Sequence, residues 1–153
     1  WVSASEGARF AEVVRSFTES IRALGPTPIP ADAAARTALL SVRDTFASPR
    51  VRNIIGKFLH LTEKGTVYGW KLEKERMDQA IREVVHSEHA RALILNNAGP
   101  GPVTVPKLSQ STNLPPDEVL RHLSVLMKQN IVSIAGHDGT DPLFKVVSQG
   151  GMA

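Results

Sequence analysis

A mostly α chain with a small mixed α+β module at its C-terminal end is what three observations predict. Apolar residues recur at helical spacing through most of the first 128 positions. The two longest strand runs, Ile131 to Ala135 and Leu143 to Val147, both lie near the end. The connection between them, Gly136 to Pro142, carries Asp138-Gly139, a strong hairpin signal.

The elements follow in order. Trp1-Val2-Ser3-Ala4 reads as the tail of a strand, and Ser3 with Glu6 has capping-box spacing. Phe10, Val13, Val14, Phe17, Ile21 and Leu24 then line one helix face, with Glu12, Arg15, Glu19 and Arg22 on the other. Gly25-Pro26 ends that helix. Residues 1–26 are therefore predicted as the last strand and helix of an upstream α/β domain. A chain that begins at Trp1, without Met, suggests that its start lies further upstream. Thr27-Pro28-Ile29-Pro30 is a linker held extended by its prolines.

Residues 27–85 form a second, helical segment. Ala31 to Ala47 is helical, with Leu39, Leu40, Val42 and Phe46 as its apolar side. Ser48 caps a further helix with Pro49 first. That helix runs to about Lys64 with Val51, Ile54, Ile55, Phe58 and Leu61 inward, and Gly65 stops it. Thr66 to Trp70 is a short turn or strand. Lys71 to Val85 is a charged helix with Leu72, Met77, Ile81 and Val84 inward.

Residues 86–148 are the module that names a fold. Ser87 caps a short helix bearing Ala90, Leu93 and Ile94, which Gly99-Pro100 terminates. Val103 to Val105 is a brief strand, Pro106 opens a helix carrying Leu108, and Asn113-Leu114 turns the chain. Pro115-Pro116-Asp117-Glu118 opens a third helix, with acids at the positive end of its dipole. Its buried stripe is Val119, Leu120, Leu123, Leu126 and Met127. Helix, short strand, helix, turn, helix, hairpin is the order of a winged helix-turn-helix. The run Leu120 to Leu126, followed by Asn130-Ile131-Val132, resembles the recognition helix and start of the wing in small bacterial winged-helix repressors. That resemblance implies DNA binding, with Lys107, Arg121, His122 and Lys128 facing the duplex. The residue types oppose it. Pro116, Asp117 and Glu118 stand where a groove-reading helix places donors, and the wing carries Asp138 and Asp141. From Arg91 onward there are five Lys/Arg against four Asp/Glu, few for phosphate-driven affinity.

Composition narrows the function classes. With 42% hydrophobic and 22% charged residues and a net charge of +3, the chain has an ordinary globular composition, mildly basic. It has no cysteine, hence no disulfide, thiolate ligand or thiol nucleophile. No apolar run approaches the ~20 residues of a membrane span, no signal-peptide layout is present, and a cytoplasmic location is expected. Glu83, His86 and His89, with Glu88 near, have a spacing that could hold a metal, but Ser87 is expected to break the helix between the histidines. Gly99-Pro100-Gly101-Pro102 lacks the Lys and the free N–H groups of a phosphate loop. No acid, base and nucleophile converge.

A second resemblance is carried by Trp1-Val2-Ser3-Ala4-Ser5-Glu6-Gly7, Phe10-Ala11-Glu12-Val13-Val14, Phe17-Thr18 and Ala23-Leu24-Gly25-Pro26. These residues resemble the C-terminal end of the delta subunit of methyl-viologen-reducing hydrogenases. That subunit passes electrons between a hydrogenase or formate dehydrogenase and a heterodisulfide-reductase-type flavoprotein. The resemblance implies a cofactor-free, non-catalytic portion of a cytoplasmic electron-transfer subunit, its iron–sulfur cluster lying upstream. Residues 31–60 are the most basic stretch, with five Lys/Arg against two Asp. Arg43, Arg50, Arg52 and Lys57, with Tyr68 and Trp70 as aromatic anchors, form the expected surface for partner subunits. The alternative is a winged-helix transcriptional regulator.

Overall fold

The computed structural model describes residues 7–26 and 32–147. The expected strand at Trp1 to Ala4, the Ser3–Glu6 cap and the Thr27 to Pro30 linker lie outside the described residues. The chain divides into two compact units, residues 1–36 and 37–153. The described residues hold six α-helices and one two-stranded antiparallel sheet, a mostly helical architecture.

In the first unit, α1 spans Gly7–Leu24 and ends, as expected, at Gly25 (φ +67°). None of its residues is buried. The apolar stripe faces solvent, with Phe17 66% and Leu24 79% exposed.

α2 (Ala33–Ala47) starts at Asp32, whose Oδ1 accepts the N–H groups of Ala34 and Ala35 at 2.8 and 3.2 Å. Its inward residues are Ser41 and Thr45, and Leu39, Val42 and Phe46 are exposed, the reverse of the expectation. The reason is the partner: α4 meets α2 with polar side chains, described below, so hydroxyls fit the seam and the alkyl face turns out.

α3 (Pro49–Gly56) opens as expected, with Pro49 first and Ser48 Oγ accepting the Arg50 N–H at 3.3 Å. Past Lys57 the helical path continues to a π-helical turn at His60–Lys64, closed by Gly65 N–H donating to the His60 carbonyl at 2.7 Å. Gly65 has φ +87°, and a Cβ there would meet the Trp70 carbonyl oxygen at 3.0 Å. Only glycine fits, and the close approach sets the turn over residues 66–70, where Thr66 N–H donates to the Trp70 carbonyl at 2.7 Å.

α4 (Lys74–Ala98) is one continuous helix of 25 residues. Ser87 does not start a new one. Its Oγ accepts from Arg91 NH2 at 2.7 Å, an i,i+4 bond along the helix that removes its reason to act as a cap.

α5 (Val105–Thr112) and α6 (Pro116–Lys128) meet at a turn set by Asn113 (φ +59°) and fastened by Ser109 Oγ donating to the Leu114 carbonyl at 2.6 Å. α6 ends in a Schellman arrangement around left-handed Asn130. Ile131 N–H donates to the Leu126 carbonyl and Asn130 N–H to that of Met127, both at 2.9 Å. The chain then enters β1 (Val132–Asp138), which pairs antiparallel with β2 (Asp141–Val146), with a bulge between Ile134 and Gly136. The strands run further than expected and the connection shrinks to Gly139-Thr140, with Gly139 at φ +60°. Val103 and Phe144 exchange both backbone bonds at 2.8 Å, a one-residue third strand.

One core joins these parts: Ile94, Val103, Leu108, Val119, Leu123, Leu126, Val132 and Phe144. Leu120 was expected within it and is 49% exposed. Val119, Leu123 and Leu126 occupy the inward line, and Leu120 sits one residue, about 100°, off it. Truncating Leu123→Ala is expected to cost about 2–5 kcal/mol, whereas Leu120→Ala stays within about 0.5 kcal/mol, read by urea denaturation.

Candidate functional site

The chemistry of the second unit gathers along α4. Toward α2, Asn96 Nδ2 donates to Ser41 Oγ at 3.2 Å and to Asp44 Oδ2 at 3.1 Å, and Thr45 Oγ1 lies 3.1 Å from His89 Nδ1. The Asn96 bond, with one from Arg43, holds the Asp44 carboxyl below its usual value. Toward α3, Ser48 Oγ donates to Glu88 Oε2 at 3.0 Å. Glu88 Oε1 lies 2.8 Å from Arg91 NH1 and 3.7 Å from Arg50 NH1. Arg91 is 8% exposed; its NH2 donates to Ser87 and its NH1 is ion-paired with Glu88, while its Nε and Glu88 Oε1 are buried without a hydrogen-bond partner.

Toward α6, a cleft of about 640 Å3 opens. α6 presents Glu118, His122 and Val125 to it, one line at i, i+4 and i+7. Glu118 Oε1 stands 3.6 Å from His122 Nε2, 3.8 Å from His86 Nδ1 and 3.9 Å from Arg121 NH2. α4 adds Arg82, His86 and Arg91, and α3 adds Arg50. Burial pushes the His122 imidazole below its ordinary value; Arg91 and Arg121 add to this and Glu118 opposes it.

The residues expected at an interface are distributed differently. Arg43 bonds its own neighbour Asp44 through Nε at 2.9 Å and NH2 at 2.8 Å. Arg50 reaches toward Glu88 and lines the cleft. Arg52 and Lys57 are exposed on and just past α3. Tyr68 and Trp70 stand 85% and 78% exposed on the 66–70 turn. Of the residues expected to meet DNA, Lys107, Arg121 and Lys128 are exposed, and His122 is buried at 6% facing the cleft. It falls there because it lies four residues from Glu118, on the α4 side of α6. His86 and His89 share one unbroken helix but serve different neighbours, Glu118 and Thr45. Among the described residues no group of three or more His, Asp or Glu could hold a metal ion. The chain has no cysteine, so its residues do not fit a thiolate-held cluster.

Sequence reasoning passed over Arg82 and Arg91 as site residues, and weighed Glu88 only as a neighbour of a metal group rather than as the partner of Arg91. The available signal was Arg91 itself, a charge set inside Ala90, Ala92, Leu93 and Ile94. An arginine in an otherwise buried stretch needs an acid within reach.

No protein-family model matches this chain, and no solved structure matches it. Among the described residues no helix is long and apolar enough to cross a membrane.

The depressed His122 value sets a pH dependence. Burial disfavours the charged imidazole in the folded state, and the unfolded chain protonates it near its ordinary value of about 6.5. Below that value the unfolded state binds more protons, so this contribution to stability is complete above it and is lost as pH falls toward the folded value. Urea midpoints measured at about pH 7.5 and about pH 5.5 are expected to fall less for His122→Gln than for the parent chain.

Proposed function

We propose that this chain is a cofactor-free docking portion of a cytoplasmic electron-transfer subunit. Its place would be within an assembly of hydrogenase or formate dehydrogenase with a heterodisulfide-reductase-type flavoprotein. One observation carries the docking part: large apolar side chains are uncovered on three separate elements. They are Phe10, Phe17 and Leu24 on α1, Leu39, Val42 and Phe46 on α2, and Val67, Tyr68 and Trp70 on the turn after the π-helical segment. Isolated exposed apolar residues are ordinary, but stripes of them mark contact surfaces. The identity of the assembly rests on the resemblance of residues 1–26 to the hydrogenase delta subunit.

The C-terminal part is read as a winged helix-turn-helix serving as a structural, protein-contacting module. The order α4, Val103 bridge, α5, turn, α6 and hairpin supports that fold. A second reading, DNA binding, is favoured by the joint exposure of Lys107, Arg121 and Lys128. It is opposed by exposed Asp117 at the start of α6 and by Asp138 and Asp141 at the hairpin turn.

Affinity capture with the tagged chain from its source cells separates the readings. Flavin- and iron–sulfur-bearing redox subunits, identified by mass spectrometry, are expected to be retained. Phe17→Asp, Phe46→Asp and Trp70→Ala together are expected to weaken retention by at least about tenfold, since interface anchors each contribute more than about 1 kcal/mol. Undiminished retention by the triple variant overturns the docking surfaces. Absence of redox subunits, with duplex DNA bound in a steeply salt-dependent way, overturns the assignment in favour of the regulator.

A further inference from the structure

The cleft between α4 and α6 has no role in the docking reading, and its chemistry is distinctive. We propose that it binds a small organic phosphate monoester, the phosphate held by converging guanidinium groups and the organic body lying along Val125 and the arginine stems.

Charge comes first. Arg50, Arg82, Arg91 and Arg121 line the cleft with two carboxylates, Glu83 and Glu118; a third, Glu88, lies 2.8 Å from Arg91 and 3.7 Å from Arg50, leaving four cations against three anions. Guanidinium is the group that grips phosphate through paired donors, and it is the less strongly hydrated of the two basic side-chain cations. The carboxylate of Glu118 lies 3.9 Å from the Arg121 guanidinium, which partly offsets its repulsion of an arriving anion.

Arg91 supplies the second, independent observation. It is more than nine-tenths buried; its NH2 donates to Ser87 and its NH1 is ion-paired with Glu88. Its Nε–H remains without an acceptor. Buried donors are almost always paired, and Glu88 Oε1, 2.8 Å from Arg91 NH1, is likewise buried without a hydrogen-bond partner, so this wall of the cleft is under-satisfied in both donor and acceptor. Shape agrees as well. The arginines are contributed by three helices, α3, α4 and α6. A volume of about 640 Å3 falls within the usual range for sites that hold a small molecule.

Nuclear magnetic resonance of the whole chain, observing arginine Nε–Hε signals, tests the proposal with phenyl phosphate as probe. Phenyl phosphate is expected to move the Arg91 signal saturably. Benzoate, with the same ring and a planar monoanion, is expected to bind at least about tenfold more weakly, and phenol not at all. Arg82→Gln and Arg121→Gln change exposed residues and leave the fold intact; each is expected to lower phenyl phosphate affinity roughly tenfold or more. Arg91→Lys keeps the charge, loses the fork, and is expected to weaken binding similarly. The proposal is overturned if the Arg91 signal does not saturate or if benzoate or chloride moves it as readily. Unchanged affinity in the Arg82→Gln, Arg121→Gln pair also overturns it. If duplex DNA moves the Arg91 signal and phenyl phosphate does not, the cleft contacts a nucleic-acid backbone and the small-molecule assignment fails.

Discussion

The second unit depends on one carboxylate. Glu88 accepts from Ser48, the residue that caps α3, and it neutralises Arg91, whose guanidinium is almost wholly buried. Taking one member of such a pair away strands the other charge in a poorly hydrated site, a loss on the order of 3–5 kcal/mol. The pair therefore fixes two things at once. It sets where α3 begins, and it sets which face of α4 turns toward α6. Three residues further along α4, Ile94 enters the hydrophobic core with Val103 and Phe144. A single pair of helical turns thus seats the core on one side and holds the arginine of the cleft on the other.

Much of this could be read in the residues, and the failures have physical causes. α6 was legible because Pro116 opens it, Asp117 and Glu118 follow, and Val119, Leu123 and Leu126 keep step on one line. The hairpin was legible from Asp138-Gly139, though its strands run longer because backbone pairing continues as far as the turn geometry allows. α2 was misjudged in its facing. Periodicity counts alkyl groups, but Ser41 and Thr45 face inward because Asn96 and His89 meet them with polar groups. Ser87 was misjudged because serine commonly caps helices, and nothing local indicates that an arginine four residues on will occupy its hydroxyl. The cleft was not legible at all. Its arginines are spread from Arg50 to Arg121, and only the packing of α3, α4 and α6 brings them together.

The turned-out face of α2 has a consequence for function. A helix stabilised inward by hydroxyl and amide bonds can leave Leu39, Val42 and Phe46 in water, because its position does not depend on burying them. Burying a large apolar side chain is worth about 1.5–3 kcal/mol, so these residues and those of α1 are a reserve of binding energy that the described fold does not use. Association costs about 4–15 kcal/mol in lost freedom, so several such half-exposed anchors would have to be covered together to offset it. This is the physical basis of the proposed docking.

α6 divides the core, the cleft and the solvent among three faces. The helix has three lines of residues. Val119, Leu123 and Leu126 face the core; Glu118, His122 and Val125 face the cleft; Asp117, Leu120, Ser124 and Lys128 face outward. Arg121 stands at the edge between the outer line and the cleft, exposed yet within 3.9 Å of Glu118. A phosphate bound as proposed would compete with Glu118 for that guanidinium, and Arg121 is the one residue through which the cleft line and the outer line of α6 meet.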